Sequence, residues 1–89
     1  MPTHHIIVTG KVQGVFFRAS AKKMALASGL VGWVKNIANN VVEIMVTGDV
    51  DALETFERWC STGPPQAIVE NVSSSLVSKE NFNSFRILK

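Results

Sequence analysis

The sequence predicts an α+β fold in which two helices cover one face of an antiparallel sheet of four to five strands. Three observations carry that expectation. Short β-branched stretches alternate in polarity. Two stretches with helical periodicity fall between them. Together they give the order strand, helix, strand, strand, helix, strand, with a short final strand, which matches the split β-α-β plan.

The first strand is expected over residues 4–12, where Ile6, Val8, Gly10 and Val12 share one parity and His5, Ile7, Thr9 and Lys11 the other. Phe17, Ala21, Met24, Ala25 and Ser28 recur at helical spacing, and Gly29 supplies a left-handed stop, so the first helix spans about residues 17–28. Strand character resumes over 30–35, residues 36–40 read as a turn, and 41–47 completes a hairpin with Val42, Ile44 and Val46 on one face. Asp49 or Asp51 caps a second helix with an apolar stripe of Val50, Leu53, Phe56, Trp59 and Cys60, stopped by Gly63-Pro64-Pro65. Residues 67–77 form a strand whose imperfect alternation suggests a bulge, and 82–88 a terminal one with Phe85 and Ile87 on one side.

The 89 residues suit one domain, 1–89, with one core. A hydrophobic share of 46% argues against disorder, and the charge of +2 favours an anionic small-molecule substrate without the dense basic stripe of a nucleic-acid binder. Few aromatic residues, and none clustered on the central strands, argue the same way. One cysteine, Cys60, rules out an internal disulfide and fits a cytoplasmic protein. No leader-like start or long apolar run is present, so no membrane association is expected. A monomer is expected. His4 and His5 read as exposed residues near the terminus, without a metal-ligand pattern.

The informative stretch is Gly10-Lys11-Val12-Gln13-Gly14-Val15-Phe16-Phe17-Arg18, where a strand breaks and a loop delivers an arginine to a helix start. Loop N–H groups ahead of a helix N-terminus converge on an anion, and a guanidinium adds charge and a planar fork of donors. Gln13, Gly14, Val15, Phe16, Phe17 and Arg18 therefore form a candidate phosphate cradle. A helix of about 11 residues leads roughly 16 Å away, and a strand of about six residues leads roughly 20 Å back. That path returns Asn36 to the cradle's end of the sheet. Its amide can position a water without taking its proton. With no strong acid or base evident, the set suits a leaving group stable at neutral pH, such as the carboxylate of an acyl phosphate.

The motif Gly10-x-Val12-Gln13-Gly14-Val15-x-Phe17-Arg18, followed by Gly29-Leu30-x-Gly32-Trp33-Val34-Lys35-Asn36, Val42 and Gly48, resembles both signature stretches of the acylphosphatases. The resemblance extends through Gly63-Pro64-Pro65-x-Ala67-x-Val69 to Phe85-Arg86-Ile87. It implies a ferredoxin-like fold and hydrolysis of acyl phosphates to a carboxylate and inorganic phosphate, with no metal or organic cofactor. It also implies that Arg18 and the amides of residues 13–18 bind the phosphate, while Asn36 orients the attacking water. Two positions depart from the family pattern: Asn40 stands where glycine is usual, and Ile37 where threonine is common. Asparagine tolerates the left-handed conformation such a turn needs. Lys11, Lys35 and Arg86 are candidates for attracting an anion. Two rivals are an RNA-binding module of the same topology and the acylphosphatase-like first domain of a larger carbamoyl-transfer factor.

Overall fold

A computed structural model describes residues 1–78 and 80–88. Its elements run β1 (Thr3–Lys11), α1 (Phe17–Ala27), β2 (Val31–Ala38), β3 (Val41–Thr47), α2 (Val50–Thr62), β4 (Ile68–Val77) and β5 (Phe85–Ile87). The strands form one sheet in the order β4-β1-β3-β2-β5. The four longer strands pair antiparallel, as expected, while β5 lies parallel to β2 and makes the sheet mixed.

The parity read from β1 sets the two faces. Ile6 and Val8 meet Ile44 and Val42 across the β1–β3 pair, and with Val34 and Val46 they are wholly buried. This row packs against Phe17, Ala21 and Ala25 of α1 and against Leu53, Phe56 and Cys60 of α2. Alanines on α1 let that helix approach the sheet closely, and the bulk is supplied by the Phe17, Phe56, Trp59 and Phe85 rings, 5.2 to 6.2 Å apart by centroid. Val50 does not join the stripe. It is the first residue of α2 and stands 56% exposed.

The opposite face of the sheet carries Trp33, with the Lys35 ammonium 5.2 Å from its ring centroid. His4 and His5 point to opposite faces, as adjacent strand residues must. Neither is simply exposed, in contrast to the sequence expectation. His4 Nδ1 lies 2.6 Å from Glu57 Oε1 on α2, and His5 Nε2 lies 2.7 Å from Glu43 Oε2 on β3. Both pairs join residues remote in sequence.

Apart from shifts of one residue, three segments differ from those read in the sequence. β2 continues through Asn36 to Ala38, because Asn36 pairs with Val42 and a bulge between Asn36 and Ala38 absorbs the irregularity. The turn narrows to Asn39-Asn40, where Asn40 adopts φ 60°. The last strand shrinks to Phe85–Ile87, the stretch that finds a partner on β2. The irregularity anticipated in β4 is present as a register shift opposite Thr9 and Gly10.

Gly32 has φ +145°, and a Cβ built there would lie 1.9 Å from the Met45 carbonyl oxygen of β3. Gly32→Ala should therefore force the β2–β3 pair apart and cost about 3 kcal/mol, the upper end of typical overpacking penalties. Urea unfolding measures this directly. An unchanged midpoint would show that the strand pair yields without cost.

Candidate active site

The end of β1 is built to release the chain into a loop. Gly10 N–H donates to the Asn40 carbonyl at 3.1 Å, and Val12 N–H folds back to the Gly10 carbonyl at 2.9 Å, ending the ladder. Gln13 then clasps the β2–β3 turn. Its Nε2 donates to the Ala38 carbonyl and, at 3.1 Å, to that of Val41. This clasp holds the loop and the far end of β2 together at one edge of the molecule. Nothing in the local sequence signals it, because the partners lie 25 and 28 residues away.

Beyond the clasp, the backbone departs from common conformations. Gly14 has φ 73° and Phe16 φ 65°, so left-handed residues flank Val15. For a phenylalanine such a conformation is a steric outlier. Alternation of this kind aims successive N–H groups into one concavity, which favours an anion. Among the described residues, no backbone carbonyl accepts a hydrogen bond from the N–H of Gln13, Gly14, Val15, Phe16, Phe17 or Arg18.

The start of α1 adds to this field. Phe16 occupies the N-cap without a side-chain hydrogen bond, and no acidic residue stands in the first turn. The positive end of the helix is therefore not offset from within. Helix α2 differs in charge alone: Asp49 stands at its N-cap without the side-chain cap hydrogen bond expected from the sequence, and Asp51 in the first turn adds a second carboxylate.

A cleft of about 310 Å³ lies over this loop, lined by Gln13, Gly14, Phe16, Phe17, Arg18 and Ile87, among others. Arg18 is half-buried, and the ion pairs of the described residues, His4–Glu57, His5–Glu43 and Lys35–Glu43, leave it without a carboxylate partner. Its guanidinium is thus available to an incoming anion. Phe17 is held in the core by Trp59, which fixes where the helix begins and leaves its backbone N–H as its contribution to the loop. Val15 is also buried beneath the loop and does not line the cleft.

Asn36 is not among the residues lining that cleft. It shares strand parity with Gly32 and Val34 and so faces the helix layer, two residues beyond Val34 toward the Gln13 clasp. Its Oδ1 is buried and has no hydrogen-bond partner among the described residues. Buried carbonyl oxygens are nearly always paired, so an unpaired one at the loop end of the sheet is an unused acceptor.

The other candidates sit elsewhere. Lys35 is drawn to Glu43, with 3.7 Å between Nζ and Oε1, and rests over Trp33. Arg86 pairs in register with Trp33 and lines a separate depression with Asn81 and Asn83. Lys11 is exposed at the end of β1. Cys60 is fully buried, and burial, reinforced by the Glu57 carboxylate, pushes its thiol far above the ordinary thiol range. Such a thiol is not a nucleophile.

A sandwich of this topology, whose loop end carries a helix start without a side-chain cap and, among the described residues, an arginine without a carboxylate partner, is a small ferredoxin-like α+β domain. The acylphosphatase family model matches residues 4–87. An acylphosphatase of Coxiella burnetii (strain RSA 493 / Nine Mile phase I) is 43% identical over 83 residues, covering 93% of this chain and 87% of the relative. A solved acylphosphatase structure from Coxiella burnetii superposes with a TM-score of 0.95 at 41% identity, covering 98% of this chain and 92% of that one. A crystal structure of acylphosphatase from Bacillus subtilis gives a TM-score of 0.96 at 37% identity, with both chains wholly covered. The chain belongs to the acylphosphatase family.

Proposed function

We propose that this protein hydrolyses acyl phosphates to a carboxylate and inorganic phosphate by in-line attack of water on phosphorus, without a metal. The observation that carries this reading is the set of N–H groups from Gln13 to Arg18 that have no backbone partner among the described residues, held by left-handed backbone at Gly14 and Phe16 beside Arg18, which has no carboxylate partner among those residues. Family membership supplies the reaction class.

In this reading the loop amides and Arg18 bind the non-bridging oxygens of the phosphoryl group. Charge spread over those oxygens in the transition state is met by donors already in position. The Asn36 side-chain amide orients the attacking water and fixes its line of approach. The water oxygen forms a bond to phosphorus as the bond from phosphorus to the carboxyl oxygen breaks. The electron pair leaves with the carboxylate, one of the water's protons stays on the new phosphate oxygen, and the other passes to a second phosphate oxygen or to solvent. Carboxylate is a good leaving group at neutral pH, so no side chain has to protonate it.

The reading also takes residues 1–89 as one catalytic unit, acting as a monomer in the cytoplasm on a small molecule rather than on nucleic acid. No helix among the described residues is long and apolar enough to cross a membrane.

Hydrolysis of benzoyl phosphate in oxygen-labelled water with excess chelator tests the proposal. Turnover should survive the chelator, and the label should enter phosphate. Label in benzoate would move the attack to carbon. Loss of turnover on chelation, or none from the folded protein, would overturn the reading.

A further inference from the structure

A second groove of about 310 Å³ adjoins the loop on its other side, lined by Val15, Phe16, Ser20, Pro64, Pro65 and Gln66. Phe16 lines both this groove and the cleft over the loop, so its ring forms the divide between them. Among the described residues, no ionisable side chain lines the groove.

Two features set this place apart. The Phe16 ring is 75% exposed although its backbone is held in a left-handed conformation unfavourable to a bulky residue. The fold gains little from burying that ring. Opposite stands a stiff shelf: the Ala67 N–H closes a turn on the Pro64 carbonyl at 2.9 Å, and the preceding Gly63 packs so close to Phe17 that a Cβ there would lie 3.0 Å from its ring. Phe17 starts α1, so the shelf is fixed relative to the phosphate loop itself.

Resting on the acyl phosphatase reading above, we infer that this groove is the subsite for the acyl group, and that it selects uncharged apolar acyl groups, aromatic ones above all. A phosphate held by the loop amides leaves the acyl carbon attached one bridging oxygen away. The groove begins at that boundary, at Phe16. An aromatic or branched alkyl group entering it covers the Phe16 ring and the Pro65 face, gaining apolar burial and ring contact. An acyl group with a second carboxylate would lose hydration there and meet no cation. A volume of about 310 Å³ lies at the lower end of the range for small-molecule sites and suits a group the size of one ring.

The test compares kcat/KM for benzoyl phosphate and acetyl phosphate in the parent, in Phe16→Ala and in Pro65→Ala. Leaving-group reactivity belongs to the substrates, so a change in the benzoyl-to-acetyl ratio between variants reports contacts with the acyl group, and Pro65, which lines the groove and not the cleft, assigns those contacts to the groove. The ratio should fall about tenfold in Phe16→Ala, a discrimination of the size one apolar contact gives, and should fall in Pro65→Ala as well. Phe16→Leu, which restores an apolar side chain without a ring, should lie between Phe16→Ala and the parent. Parent-like ratios in both alanine variants, with acetyl phosphate still hydrolysed, would overturn the subsite and leave the reaction standing. A fall confined to Phe16→Ala would place the acyl group in the cleft over the loop and overturn the groove as its subsite. Failure of the folded parent to hydrolyse either substrate would instead overturn the reaction itself.

Discussion

Arg18→Ala lowers kcat/KM for acyl phosphate hydrolysis by about 10²- to 10³-fold, the loss expected when one preorganised donor to a developing oxyanion is removed. The side chain starts from a position that makes this plausible on energetic grounds. It stands at the second residue of α1, half-buried, with no carboxylate among the described residues to neutralise it. Its charge therefore acts on whatever occupies the loop, in a partly desolvated setting where a guanidinium–phosphate pair is stronger than in water. Arg18→Lys should recover less than tenfold of the loss. Lysine keeps the charge but offers a point rather than a planar fork, and cannot grip two oxygens at once. Competitive inhibition by inorganic phosphate provides the second readout and should weaken in both variants, because phosphate uses the same donors. Activity in Arg18→Ala within tenfold of the parent would remove Arg18 from the mechanism.

Much of this site was legible because its parts are local in sequence. The loop from Gln13 to Arg18 announces itself through Gly14 and the abrupt change from two-residue to helical periodicity, and α1 begins at Phe17 as expected. The buried row through Ile6, Val8, Val42 and Ile44 was equally readable, since a sheet covered on one face imposes strict alternation. What escaped the sequence depends on partners chosen in three dimensions. Asn36 sits in an asparagine-rich run that suggests a turn, yet pairing with Val42 keeps it in β2. That difference matters for function, because a strand holds the Asn36 side chain to one face of the sheet, whereas a turn would not. Glu57 and Glu43 could not be foreseen as partners of His4 and His5 across separations of 53 and 38 residues. Phe16 in a left-handed conformation runs against its own preference, and only the surrounding fold imposes it. Asn40 was the easier case, since asparagine accepts φ 60° and here replaces the usual glycine without disturbing the turn.

Asn36 allows catalytic and structural roles to be separated, because its buried, unpaired carbonyl burdens stability while its amide serves the rate. A buried carbonyl oxygen without a partner costs the folded state about 1–3 kcal/mol relative to a paired one. In the protein, Asn36 Oδ1 is in that condition among the described residues. Asn36→Ala removes the unsatisfied group along with its small share of packing, so the folded protein should unfold at the same temperature as the parent or higher. The same substitution removes the side-chain amide that aims the water, and kcat should fall by at least about 10²-fold, the cost of losing a near-attack geometry. Inhibition by inorganic phosphate should stay near the parent value, since the loop amides and Arg18 are untouched. Asn36→Asp should not restore the rate. It keeps an acceptor but places a negative charge beside a phosphoryl group that is already anionic. Thermal unfolding and steady-state kinetics on the same preparations decide the matter. Retained kcat in Asn36→Ala would remove the water-positioning role, and a lowered unfolding temperature with a proportionate loss of rate would make Asn36 a structural residue of β2. Stability retained or gained while turnover collapses is the signature of a residue kept for chemistry at the fold's expense.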